Sequence, residues 1–439
     1  MVLKQLLRRV FAVLLCAILT IGIAPHSEAA GFSDVPKTAS YYPAVAWAVA
    51  RGITSGVRPD AFCPDTVCTR AQVMTFLWRV KGCPTPKAKT SPFSDVPDGK
   101  WFTKPVLWAV ENGITYGTSA TTFSPDQIIT LAEAVTFIWR AEKKPSAALC
   151  AGFVDVPTTA YYYNAVQWAV EVGITTGNGN ARFAPNTACT RAQTVTYLYR
   201  AYDARQRAAA LKNSINSLIS GKSGVWSIYL YQPNSNIRIN INSRTMFAAS
   251  LIKLYIAGAA EEAMERGKIP RSCETYLDQM IYASSNGATD YLIDKVTVDG
   301  INQFIMEQGF FGSRLAHKMS DSAPGVNYTT AEECCRVLQE VDEGTYVSQA
   351  ASQRILHNLL NQMRRSKIPA GIPSGIKVGN KTGETHNTQH DAAVVYAPAG
   401  TYYLCIMCGG HDESDGGVTI RTIVQLSKLI YNSIGPLAS

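Results

Sequence analysis

Residues 246–260 read MFAASLIKLYIAGAA, a stretch of fifteen positions in which Lys253 is the sole charge. So apolar a run predicts a buried helix. A lysine three residues after a serine shares its helical face, which brings Ser250 and Lys253 together. Burial disfavours the ammonium and lowers the lysine pKa, making the amine a base for the serine hydroxyl. The same S-x-x-K spacing recurs at Ser374–Lys377, in a short Gly-rich segment unsuited to a helix. Spacing alone therefore decides little, and the neighbouring sequence must be read with it.

Upstream, 208–220 reads as a helix, and 225–241 alternates like a hairpin turning at Pro233-Asn234-Ser235. Downstream, Ser284-Ser285-Asn286 sits between apolar helical segments. Lys381-Thr382-Gly383 follows, leading into two apolar runs, 392–397 and 402–407, that read as adjacent strands. This ordered set of S-x-x-K, S-x-N and K-T-G resembles the serine β-lactamase and penicillin-binding superfamily over about residues 208–439, with the class A branch nearest. The resemblance implies an α+β fold, a five-stranded antiparallel sheet with a helical lobe. It implies Ser250 as nucleophile, Lys253 as its base and Ser284 as the group passing a proton to the leaving nitrogen. Asn286 would hold the substrate's amide side chain, and Lys381 and Thr382, ahead of Gly383, its carboxylate. Backbone N–H groups of Ser250 and Glu384 would form the oxyanion hole. The implied substrate is a β-lactam or a peptidoglycan stem peptide of the D-Ala-D-Ala type.

One departure bears on turnover. Class A enzymes release the acyl group with water activated by a glutamate in an omega loop. Ser313-Arg314-Leu315 resembles the start of that loop and Thr329-Thr330-Ala331 its end, but Met319 stands at the glutamate position. The sole acid between is Asp321, and a misplaced carboxylate loses much of its catalytic value. Acylation is expected with slow deacylation.

His386, His390 and His411 supply no ordered ligand set, so no metal and no cofactor is expected; contact of His386 or His390 with substrate is. Cys405-x-x-Cys408 lies in a strand-like run where a three-residue offset points side chains to opposite faces. The chain has 11 cysteines. Ten follow residue 30, and their pairing is not readable from their spacing.

The first half is repetitive. Phe32-Ser33-Asp34-Val35-Pro36 returns at 93–97 and, as Phe-Val-Asp-Val-Pro, at 153–157, each copy followed by a tryptophan and then Gly-Ile-Thr. Each unit closes on a helix opening at Thr69, Thr130 or Thr190, with Gln72, Glu133 or Gln193 at capping-box spacing. Two short amphipathic helices cannot bury their apolar faces alone, so three units must pack together. The pattern resembles three S-layer homology (SLH) repeats, at 31–85, 91–145 and 151–203, forming an all-α module. The resemblance implies non-covalent attachment to a secondary cell-wall polysaccharide. Its binding residues map to Asp34, Trp47, Gly56 and Arg70 in the first repeat and to Asp155, Trp168, Gly177 and Arg191 in the third. The second keeps Asp95, Trp108 and Gly117 but has Leu131 in place of the arginine. An arginine fork suits a sugar-borne carboxylate, which leaves the second groove the doubtful one.

Residues 1–30 read as a secretory signal: Lys4, Arg8 and Arg9, then an apolar run from Val10 to Ile23, then Ser27-Glu28-Ala29. No membrane span is expected after its removal. The 439 residues are 46% hydrophobic with a net charge of +8, which excludes a disordered chain. A balance this mild, with no run of five like charges, gives no case for nucleic acid binding. The expected protein is secreted and held on the wall, a serine hydrolase or acyltransferase. The alternative is a non-catalytic wall-binding protein with a degenerate hydrolase-like domain.

Overall fold

The computed structural model describes residues 32–147, 152–178, 181–321 and 325–435. The export signal read at 1–30 and Cys150 lie outside these residues. The repeats contain three helix pairs. These are α1 (Tyr42–Ala50) and α2 (Arg70–Val80), α3 (Thr103–Glu111) and α4 (Leu131–Ala141), α5 (Tyr163–Glu171) and α6 (Arg191–Tyr199). The helices α2 and α4 start on full capping boxes at Thr69 and Thr130. Thr190 and Gln193 exchange the same pair of bonds ahead of α6. Two orphan N–H groups are satisfied at each start.

One compact unit takes residues through Lys143 together with Pro185–Thr196. In it the segments entering α2, α4 and α6 close into a ring. Cys68 N–H donates to Cys189 O at 2.9 Å, Cys189 N–H to Ile129 O at 2.9 Å, and Ile129 N–H to Cys68 O at 3.0 Å. Further out, Val67 pairs with Thr190, Thr69 with Ile128 and Thr130 with Ala188. The first turn of α2 docks on the carbonyls of Pro125 and Gln127, that of α4 on Pro185 and Thr187, and that of α6 on Pro64 and Thr66. Each repeat thus leans on the next, and the third returns to the first. Backbone donors that a lone repeat would leave to water are satisfied by a neighbour.

The other unit takes Lys144–Ala184 and Tyr197 onward. A π-turn, Arg200–Ala204, runs directly into α7 (Arg205–Ile219), so the chain is helical where the repeats give way to the hydrolase-like segment. Arg200 donates to Ile174 O at 3.1 Å and, at 3.5 Å, to Asn234 O. Asn236 Nδ2 donates to Gly173 O at 2.5 Å. The turn after α5 is thereby stapled to the hairpin between β1 (Val225–Gln232) and β2 (Ile237–Ile241).

Next come β3 (Met246–Phe247), α8 (Lys253–Glu265), α9 (Glu274–Tyr282), α10 (Asn286–Val296) and α11 (Val298–Glu307). After them come β4 (Tyr328–Thr329), α12 (Ala331–Asp342), α13 (Gln349–Leu360), β5 (Val378–Thr385), β6 (Thr388–Val395), β7 (Tyr402–Gly409) and α14 (Gly416–Ile434). Five strands form an antiparallel sheet ordered β2-β1-β7-β6-β5. The helices α7 and α14 pack against each other and touch β2 and β6, respectively. The helix α12 packs on β1, β6 and β7 and links the sheet to the lobe of α8–α11 and α13. Every residue of β6 is buried, as expected for a strand covered on both faces. The strand β5 is an edge, and its outer side borders the start of α8.

Candidate functional site

Ser250 lies in a 3₁₀ turn, Ala249–Ile252, that leads into α8. Such a turn eclipses side chains three residues apart, and Lys253 N–H donates back to Ser250 O. The serine and lysine therefore stack in line. Ala249 holds a φ of +45°, a costly value for a residue with a Cβ. Its surroundings fix it: Ala248 N–H donates to Asn327 O at 2.8 Å, and His390 Nε2 bonds Phe247 O at 2.9 Å.

Lys253 is fully buried. Its ammonium donates to Ser284 O and Asn286 Oδ1, each at 2.8 Å, and to Ser284 Oγ at 3.3 Å. Burial lowers its pKa to about 8; Arg364 pushes the same way and Asp290 opposes. Lys381, also fully buried, reaches Ser284 Oγ at 2.9 Å and Thr382 O at 2.8 Å. Burial, then the charge on Lys253, holds it well below the ordinary lysine range. Ser284 itself sits at a φ of +58°, which turns its carbonyl and hydroxyl together onto Lys253. With two amines donating to one hydroxyl oxygen, the Ser284 proton must point in a third direction. Ser250, Lys253, Ser284, Asn286 and Lys381 thus form one constellation.

Gly383 explains how β5 comes so close. A Cβ there would lie 3.1 Å from Ala248 O, 3.2 Å from Ala249 Cβ and 3.3 Å from Ser250 N. Lys381 and Gly383 share the strand face toward the serine, whereas Thr382 and Glu384 alternate to the other. Thr382 is 1% exposed and lies opposite Asp391 in β6. The Glu384 carboxylate pairs with Lys367 at 2.9 Å and Arg364 at 3.0 Å. Burial pushes that carboxyl up, but the two cations hold it below its ordinary value. Asp391 accepts from Asn380 Nδ2 and Ile368 N, and burial raises its pKa to about 6.

Arg364, Lys367 and Asp391 escaped the sequence reading. The basic run around Arg364-Arg365 and Lys367 was the available signal, but nothing in it indicates which side chains fold inward. His390 is a correction. It is fully buried in β6, with Nε2 on Phe247 O and Nδ1 accepting from Cys408 N, so it braces β3 and does not face substrate. His386 is exposed, 3.6 Å from Glu413. Among the described residues no group of three His, Cys, Asp or Glu is arranged to hold a metal.

The omega-like segment is pinned by a bridge between Arg314 and Tyr328. Asp290 lies one helical turn beyond Asn286 and accepts from Met319 N at 2.7 Å and Ser320 N at 3.1 Å. The Met319 side chain packs against the core, and Asp321 is exposed. The lone acid of the segment is therefore directed to solvent.

In the repeats, the recurring residues turn inward. Asp34 accepts from the N–H groups of Phe62 and Cys63, Asp95 from Phe123 and Ser124, and Asp155 from Phe183 and Ala184, all at 2.7–2.9 Å. Cys63, Ser124 and Ala184 hold φ values of +58°, +58° and +59°. Each carboxylate thus latches a left-handed residue. Desolvation pushes Asp34 and Asp155 up, but these N–H bonds bring both below the ordinary value. Trp47, Trp108 and Trp168 are core, at 3%, 7% and 2% exposure. Gly56, Gly117 and Gly177 each pass a Phe ring so closely that a Cβ would lie within 2.6 Å of it.

The arginines meet a different geometry from the open fork expected for a sugar carboxylate. Arg70 is 3% exposed, bonds Glu133 at 2.8 Å and Phe123 O at 3.0 Å, and lies over the Phe123 ring. Arg191 is 5% exposed, bonds Phe62 O and Ser55 O, and lies over Phe62. Both reach into the following repeat, and burial leaves little of either guanidinium to solvent.

Comparison with known proteins agrees with this architecture. The Beta-lactamase enzyme family matches residues 210–274 and 269–434, and the S-layer homology domain matches 31–74, 92–135 and 152–195. An endoglucanase of Bacillus sp. (strain KSM-635) is 36% identical over 117 residues, 27% of this chain and 12% of that protein. An S-layer protein of Bacillus thuringiensis subsp. finitimus is 25% identical over 197 residues, 44% of this chain and 24% of that protein. The chain thus spans less than a quarter of the length of either relative. Among solved structures, PBP-A is 21% identical, covering 51% of this chain and 95% of that one, at a TM-score of 0.47. The beta-lactamase from Sphaerobacter thermophilus is 22% identical, covering 52% and 97%, at 0.46. The first of the two family matches spans more than half of the sequence, and the chain belongs to the Beta-lactamase enzyme family, with three S-layer homology domains ahead of the hydrolase-like domain.

Proposed function

We propose that the protein is a cell-surface serine acyl-transfer enzyme. Ser250 attacks the carbonyl of a β-lactam or of a D-Ala-D-Ala-type amide and forms an acyl-enzyme. The observation that carries this reading is the meeting of Lys253 and Lys381 on one hydroxyl, Ser284 Oγ, beside Ser250. Neutral Lys253 takes the Ser250 proton, and Ser284 delivers a proton to the leaving nitrogen. Lys381 and Thr382 draw the substrate carboxylate, Asn286 its amide side chain, and the N–H groups of Ser250 and Glu384 the developing oxyanion. Gly383 lets the substrate-bearing strand approach the serine. Release is slow, because Met319 offers no carboxylate to activate water.

The three S-layer homology domains, and the likeness to an S-layer protein, support non-covalent attachment to a secondary cell-wall polysaccharide. Asp34, Asp95 and Asp155 shape the loops that line the inter-repeat grooves. Trp47, Trp108 and Trp168 form the groove floors, and Gly56, Gly117 and Gly177 their tight turns. Arg70 and Arg191 brace two of the three seams.

Incubation with a reporter penicillin followed by intact mass measurement tests the catalytic reading. A long-lived adduct, absent in Ser250→Ala, is expected. No adduct with either a penicillin or a D-Ala-D-Ala peptide would overturn it in favour of a non-catalytic wall protein.

A further inference from the structure

We propose that Cys68 and Cys189 form a disulfide that ties the first repeat to the third across the ring. The antiparallel bridge between Val67 and Thr190 makes Cys68 and Cys189 the next directly opposed pair. Cys68 N–H also donates to Cys189 O at 2.9 Å. Opposed residues of an antiparallel pair have Cα atoms about 4.5–5.5 Å apart and side chains on one face, inside the roughly 4.4–6.8 Å span that a disulfide bridges. The two thiols converge on one partner: Cys189 Sγ lies 3.4 Å from Thr194 Oγ1, and the Cys68 thiol bonds the same hydroxyl. Both residues are fully buried. The third corner of the ring is Ile129, so no rival thiol stands there. Cys63 is half-buried in its own loop and Cys83 is exposed.

Once folded, the thiols are inert, because burial raises the pKa of both, that of Cys189 to about 12. The bond therefore forms while the ring is closing. One thiolate attacks a small-molecule or protein disulfide, giving a mixed disulfide and releasing one thiol. The second thiolate then displaces the remaining thiol, so the oxidant gains two electrons and the two protons end on its sulfurs. The link closes a loop of more than a hundred residues, which restricts the unfolded chain strongly.

The full chain is refolded from denaturant in oxidised and reduced glutathione, alkylated, and digested without reductant by trypsin and an Asp-directed protease. Cleavage at Asp65 separates Cys63 from Cys68. Expected is a Cys68–Cys189 peptide pair about 2 Da lighter than its two reduced halves, lost on reduction. Reduction should also lower the repeat-module melting midpoint by on the order of 10 °C, an effect missing in Cys68→Ser and Cys189→Ser. Recovery of both residues as alkylated thiols, or of Cys68 joined to any other cysteine, would overturn the proposal, whatever the outcome of the penicillin experiment.

Discussion

The pKa of Lys253 sets the pH dependence of acylation. At about 8, about one molecule in ten carries the neutral amine at pH 7 and about nine in ten at pH 9. If that amine takes the Ser250 proton, the second-order acylation rate rises about tenfold between these values and then levels. Below pH 7 it falls about tenfold per unit. The same depression costs about 3 kcal/mol of stability at neutral pH, since the folded state buries a charge that the unfolded chain hydrates. The unfolded lysine binds its proton more tightly, so stability rises as pH climbs from 8 toward the ordinary lysine value. Acylation by a fluorescent penicillin, quenched and weighed across pH 6–10 at constant ionic strength, reads the inflection. Two variants fix its assignment. Arg364→Gln removes a cation that lowers the pKa and moves the inflection up; Asp290→Asn removes an anion that raises it and moves the inflection down. A rate that is flat from pH 6 to 9, or shifts of the opposite sign, would refute Lys253 as the base.

Three further outcomes follow from the geometry. Gly383→Ala puts a methyl 3.1–3.3 Å from Ala248 O, Ala249 Cβ and Ser250 N; acylation should slow by about 10–100-fold with an unchanged far-UV spectrum. Met319→Glu places a carboxylate on the segment clamped by Asp290, and the acyl-enzyme lifetime should shorten by ~10²-fold in a chase experiment; an unchanged lifetime would remove Met319 as the cause of slow release. Asp34→Ala frees two backbone N–H groups and unlatches Cys63, costing about 2 kcal/mol in denaturant unfolding. Because the Asp34 and Asp155 pKa values are lowered on folding, their contribution is present above the ordinary aspartate value and is lost as pH falls through the depressed one.

Legibility in the sequence followed periodicity. The Ser250–Lys253 pair, the capped helix starts at Thr69, Thr130 and Thr190, and the hairpin at Pro233-Asn234-Ser235 are local, so spacing and composition define them. The convergence of Lys253 and Lys381 on Ser284 spans 128 residues of chain. It was reachable only because three short motifs occur in a familiar order. Arg364, Lys367 and Asp391 come from a loop and a strand with no spacing rule linking them, and their ion-pair network emerges only when β5 pairs with β6. The repeats teach a different lesson. Recurrence of Asp34, Trp47 and Arg70 marks a recurring environment, but it does not say whether that environment faces solvent. A carboxylate that latches a left-handed residue recurs as faithfully as one that grips a ligand.

The staple between Gly173, Ile174 and Arg200 on one side and Asn234 and Asn236 on the other has a mechanical meaning. A tethered enzyme on a loose linker sweeps a volume set by the linker's length. Here the last repeat and the hydrolase-like domain turn as one body, so the third repeat's grip on a surface would fix the direction in which the Ser250 cleft opens. Substrate must then come to the cleft. Lengthening the helix by a few residues would redirect the opening by about 100° per residue without altering a single catalytic atom.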